Sequence, residues 1–192
     1  IDPMIPPLEV FDAGFKYHVA KIHSPRAQAS EIEHAIKHHI TVNIDKDPEY
    51  YRKLSEKLEH ILQQQHEHWE ELVQLLLGLT GSMEEERETQ AADLGMTERE
   101  FAFFGILRAE VEAAEERLPD YTEQAEIIAT NTKLVGLLAE ATSIVDFFRK
   151  HDEQKRVMLG IKRTLIASKL PIPAAARSRI IDRFMDLARA RF

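Results

Sequence analysis

Four residues in one short stretch are the first that could do chemistry. His34 and His38 stand four apart, His39 follows directly, and Glu31 lies one turn earlier. On a helix, residues four apart share a face, and such a histidine pair can hold zinc through neutral imidazole nitrogens. The zinc-hydrolase spacing H-E-x-x-H is nevertheless absent, and no third ligand falls at a telling distance. The expectation is therefore exposed or hydrogen-bonded histidines and no metal. His66 and His68, two apart, would point to different sides of a helix and make a poorer pair still.

Carboxylates are plentiful, but acid–base catalysis needs a pair held in a shielded cleft with separated pKa values. Glu84, Glu85, Glu86 and Glu88 form a run that reads as a solvated face. The segment Gly78-Leu-Thr-Gly81-Ser82 has neither the lysine nor the preceding strand of a phosphate loop, and nucleophile elbows and dinucleotide fingerprints are missing. No catalytic residue and no cofactor are expected within these residues.

One electrostatic feature remains. Residues 1–148 carry 13 basic and 29 acidic side chains, a net −16, whereas residues 149–192 carry 12 basic and 4 acidic, a net +8. A long acidic body thus precedes a basic tail. Lys150, Lys155, Arg156, Lys162, Arg163, Arg179 and Arg183 are the candidate contacts to DNA or to a partner protein, with Arg177, Arg189 and Arg191 nearby. Each phosphate they neutralised would add close to one unit to the salt slope of duplex binding. The competing expectation is that the tail packs against the acidic body of its own chain. Duplex binding by the isolated chain is expected to be weak, because the body repels phosphate.

The elements that must position these residues read as helices. Ser30 with Glu33 forms a capping-box pattern, which would start a helix over about Glu31 to Val42. Asp47 can cap the next helix, with Pro48 preset at its first position. Apolar residues then recur at Tyr51, Leu54, Leu58, Ile61 and Leu62, and resume at Trp69, Leu72, Val73, Leu76 and Leu79 after a possible bend near His66 to His68. Gly78 and Gly81 weaken the end of that segment. Gly95 suits a C-terminal cap, and Thr97 with Glu100 opens another helix. Thr122 to Lys150 is apolar on several faces, which predicts a central element. Two helices follow, about Asp152 to Lys169 and Ala174 to Ala190, separated by Pro171-Ile-Pro173.

The opening, with Pro6-Pro7, Gly14 and alternating apolar residues, reads as an extended lead-in over 1–29, ahead of a helical domain over 30–192. The first residues, Ile1-Asp-Pro3, precede a methionine at position four and are expected to be a cloning remnant or a cut inside a longer chain. The fold class is all-α, a bundle of six or seven helices. The chain has 192 residues, 44% of them hydrophobic and 30% charged, and no cysteine. This composition excludes disulfide staples and thiolate metal sites. No apolar run spans a bilayer, so a cytoplasmic location without membrane contact is expected.

The order of residues from Ala35-Ile-Lys-His-His-Ile40, through Asp45-Lys-Asp-Pro-Glu-Tyr-Tyr51, to Leu54-Ser-Glu-Lys-Leu-Glu-His-Ile61 resembles the carboxy-terminal helical region of the restriction subunit of type I restriction-modification enzymes. A looser likeness follows at Gly95 to Phe104, and again from Val157 to Leu165 and through Pro171-Ile-Pro173. The resemblance implies a non-catalytic assembly module. In that family the nuclease and the two motor domains, which use ATP and Mg2+, lie upstream. The helical end is thought to dock the motor subunit on the methyltransferase core of modification and specificity subunits, beside the DNA path. Tyr50, Tyr51 and Trp69 are candidate anchors for a partner, although helical spacing favours the core for Tyr51 and Trp69. The rival classes are a stand-alone helical adaptor and a histidine-based metalloenzyme.

Overall fold

The structure, a computed structural model, describes residues 13–64 and 68–192. Eight α-helices follow one another: α1 (Ala13–Ala20), α2 (Pro25–Asn43), α3 (Pro48–Gln64), α4 (Trp69–Asp93), α5 (Glu98–Glu115), α6 (Tyr121–Thr142), α7 (His151–Ala167) and α8 (Ala174–Arg191). Single 3-10 turns lie at Ile44–Lys46 and Phe147–Arg149. No strand occurs among the described residues, so the fold is all-α, with a helix count close to the six or seven expected.

The extra helix comes from the segment read as a lead-in, whose first twelve residues lie outside the described ones. Phe15, Tyr17 and Val19 alternate as they would in a strand, yet Phe15 and Val19 are buried while Tyr17 is exposed. The burial period is four, that of a helix. Helix α2 also begins six residues before the Ser30 box. Ser24 is its N-cap and Pro25 its first residue, where a missing N–H costs nothing. The Gln28 side chain then donates to the carbonyls of Val19 at 3.2 Å and Ile22 at 2.8 Å, tying the start of α2 to the turn that follows α1.

The chain packs as two units. The first holds α1, α2, α4 and α3 from Tyr51 onward. Its core joins Ile32 and Ile36 of α2 to Leu72, Val73 and Leu76 of α4, with Leu54 and Leu58 from α3. Helix α4 runs through Gly78 and Gly81 without a break. Burying a leucine contributes about 1.5–3 kcal/mol, which outweighs the ~1 kcal/mol that each glycine costs. Whether the helix continues or bends near His66 to His68 turns on residues 65–67, outside the described ones; α3 ends at Gln64 and α4 starts at Trp69, with His68 as its N-cap.

The second unit holds residues 45–50 and 95–192. Helix α5 packs on α6 and α8, and α7 packs on the same two, so four helices close a ring with short connections between consecutive neighbours. Phe103, Ile106 and Leu107 of α5, Ile127, Leu134 and Leu138 of α6, Ile161 and Leu165 of α7, and Ile180 and Phe184 of α8 fill it. The rings of Phe103 and Phe184 meet at 4.9 Å, tilted by 57°. Gly95, with φ +64°, takes the left-handed conformation that ends α4. Thr97 and Glu100 form the expected reciprocal cap of α5.

Helix α6 is capped by a further box, Asp120 with Glu123, which the sequence reading did not pick out. Glu123 N donates to Asp120 Oδ1 at 2.8 Å, and Asp120 N to Glu123 Oε2 at 2.9 Å. The apolar segment Thr122 to Lys150 is not one helix, however, because α6 stops at Thr142. The Thr142 and Ser143 hydroxyls bond back to the carbonyls of Leu138 and Glu140, and Asp146 adopts a left-handed conformation with φ +57°. That conformation interrupts the helical path ahead of the 3-10 turn.

Candidate interaction surface

The histidines do not converge. His34 and His38 lie exposed on α2, and His39 turns to Tyr51, whose hydroxyl is 3.3 Å from its Nε2. Among the described residues no three His, Asp or Glu side chains are grouped to hold a metal ion. Gly78 to Ser82 lie inside α4, where backbone N–H groups bond to carbonyls of the preceding turn. These residues do not fit a nucleotide phosphate. Tyr51 is half-buried, and Trp69 is 37% exposed, with the Arg26 guanidinium 5.4 Å over its ring.

The basic tail divides into two populations. Two of the seven candidates, Arg179 and Arg183, point one turn apart from α8 toward carboxylates of their own unit. Arg179 donates to Glu110 through Nε, at 3.3 and 3.2 Å, and through Nη2, at 2.7 Å. Arg183 donates to Glu110 through Nη1 at 3.4 Å and to Glu49 through Nη2. Glu110 is 7% exposed and Glu49 is 5% exposed, so both carboxylates need these partners. The hydrogen bonds and charge of Glu110 raise the Arg179 pKa above its ordinary value.

Local structure explains the placement. Glu110 stands on the buried face of α5, four residues after Ile106 and three after Leu107, where a helix core would take an apolar side chain. Glu49 is the second residue of α3, beside Gly105 of α5. A methyl group on Gly105 would meet the Glu49 Cβ at 3.4 Å, so the glycine allows this approach. Other tail arginines are also used internally. Arg177 Nη1 donates to the Ile172 carbonyl at 2.9 Å, and Arg191 Nε to the Lys46 carbonyl at 2.6 Å. Glu49 and Glu110 escaped the sequence reading, although the place of Glu110 on an apolar stripe was a usable signal.

The second population stays outside. Lys150 caps the start of α7, and Lys155, Arg156, Lys162 and Arg163 follow along that helix, all exposed. Arg156 has a local partner, Glu153, at 2.8 Å. Gln154, Val157, Ile161 and Leu165 are buried on the opposite side of the helix. The five basic residues therefore share a helix whose inner face is already used for packing.

Among the described residues, the exposed cations Lys150, Lys155, Lys162 and Arg163 of the tail lie together on and just before α7. No helix among the described residues is long and apolar enough to cross a membrane. No curated protein and no solved structure matches the chain. A family match covers residues 3–190, and its description is Type I restriction enzyme HindI endonuclease subunit-like, C-terminal. The chain belongs to this family of C-terminal domains of type I restriction endonuclease subunits.

Proposed function

We propose that this domain is a non-catalytic assembly module, which docks the ATP-dependent, DNA-translocating and cleaving subunit on the methyltransferase core of modification and specificity subunits. The observation that carries the reading is the division of the basic tail. Arg179 and Arg183 are held by Glu110 and Glu49, whereas Lys150, Lys155, Lys162 and Arg163 of α7 face outward. Charge left open on a well-packed helix suits recognition, since it adds nothing to the core beneath it. ATP and Mg2+ belong, on this reading, to the motor domains of the parent subunit.

Light-scattering chromatography of the chain mixed with its cognate methyltransferase core, with and without duplex DNA at low and moderate salt, tests the proposal. A complex that elutes together without DNA supports docking. A complex that forms only with DNA assigns α7 to the nucleic-acid path. Separate elution under every condition overturns independent docking and favours a helical adaptor for another protein.

A further inference from the structure

The outer face of α7 is not uniformly basic. Leu159 is 52% exposed and Ile166 is 56% exposed, and they stand seven residues apart, two helical turns along one line. At 100° per residue, Lys155 and Lys162 lie on one flank of that line, and Arg156 and Arg163 on the other. Each flanking pair repeats the same spacing of seven. The result is a two-residue aliphatic seam bordered on both sides by cations. The exposed Asp152 lies on the same line one heptad before Leu159, so a partner's acids belong on the flanks and not at the N-terminal end of the seam.

From this we infer that α7 docks an α-helix of a partner protein, one that carries an apolar seam at heptad spacing with Asp or Glu on both flanks. The inference rests on the docking role proposed above and names the surface and the chemistry of its partner. Charge complementarity selects an acidic occupant, because Lys155, Lys162 and Arg163 have no ion-pair partner among the described residues. The seam selects protein over nucleic acid. A phosphate backbone contacts cations and gains little from covering two aliphatic side chains, whereas a second helix removes them from water. The same unit already shows this kind of contact at α8, where Ile180 and Phe184 are buried in the core while Arg179 and Arg183 bind carboxylates of neighbouring segments.

The test is fluorescence anisotropy with the 192-residue chain. Its probe is a labelled helical peptide about four heptads long, with leucine on the seam and glutamate on both flanks. Its comparison probes are the same peptide with alanine on the seam and a labelled duplex of about 20 base pairs. Expected is binding of the leucine peptide, weakened about tenfold or more by Leu159→Ser with Ile166→Ser, and likewise by Lys155→Glu with Lys162→Glu. The alanine peptide should bind as weakly as those variants allow. Circular dichroism and urea midpoints of both double variants should match the parent chain, since all four positions are exposed. Equal binding of the leucine and alanine peptides overturns the inference. So does tighter binding of the duplex that is unaffected by the two serines, or self-association of the chain that the serines abolish. Core association of the Leu159→Ser, Ile166→Ser variant at parental strength also refutes the α7 surface, while leaving the docking role standing. Peptide binding without core association refutes the docking role and leaves the surface intact.

Discussion

Helices α7 and α8 are neighbours in the chain, similar in length and similarly basic, yet they use their charge in opposite ways. In α8 the arginines at 179 and 183 share a helix with Ile180 and Phe184, and reach carboxylates buried in the same unit. In α7 the buried face is Gln154, Val157, Ile161 and Leu165, and the cations stand away from it. A count of basic residues makes the two helices look alike. What distinguishes them is whether a buried carboxylate lies opposite, because a carboxylate out of water demands a partner and a solvated one does not.

The same difference revises the picture of an acidic body with a basic tail. The second unit, residues 45–50 and 95–192, holds 17 basic and 18 acidic side chains, so it is close to neutral. The first unit holds 8 basic and 15 acidic. The tail's positive charge is largely balanced within its own unit, and its open part is concentrated on α7.

The sharpest way to break the comparison is at the core of α8. Phe184→Ala should cost about 3–5 kcal/mol in urea unfolding, because the ring is fully buried against Phe103. Ile166→Ala on the outer face of α7 should change stability by less than about 0.5 kcal/mol. Equal losses would mean that α7 is as enclosed as α8.

Next come the arginines. Arg183→Ala should cost about 3 kcal/mol, since it leaves Glu49 without this cation and Glu110 with Arg179 alone. Arg179→Ala should cost less, because Glu110 keeps Arg183. Lys162→Ala and Arg163→Ala should stay within about 0.5 kcal/mol, measured by thermal and urea melts. If Lys162→Ala matched Arg183→Ala, the division between held and open cations would be wrong.

The smallest expected effect is a pH dependence away from both basic helices. Glu123 is held below its ordinary pKa by hydrogen bonds from Arg117 and from the Asp120 backbone. A depressed carboxylate stabilises the fold above its unfolded pKa and loses that contribution as pH falls through the folded value. Acid should therefore erode stability below the ordinary glutamate range, and Glu123→Gln should flatten that part of the profile. The change should be slight, because the pair is solvated. A parent and variant with identical acid limbs would remove Glu123 from the account.

Much of this architecture could be read from residue order. Asp47 with Pro48 marks the start of α3, and the Asp47 carboxylate accepts from the Tyr50 N–H at 3.3 Å. Thr97 with Glu100 marks α5, and Gly95 marks the end of α4. These signals are local, made by groups within four residues of one another. Distant packing overrides local preference in α4, which continues through two glycines that weaken it because its leucines are buried against α2. Helix α1 was missed because three apolar residues in alternation suit a strand, and only the burial of Phe15 and Val19 together reveals the helical period.

By itself the sequence determined the all-helical class, the residues that open α3 and α5 and close α4, the resemblance to the restriction-subunit family and the set of cations available for recognition. Each of these depends on composition or on spacing along the chain. Only the tertiary structure decided which cations remain available. Glu110 lies 69 residues from Arg179, and Glu49 lies 134 residues from Arg183. Spacing along one helix can align side chains on a face, but which charges oppose that face depends on the segments packed against it.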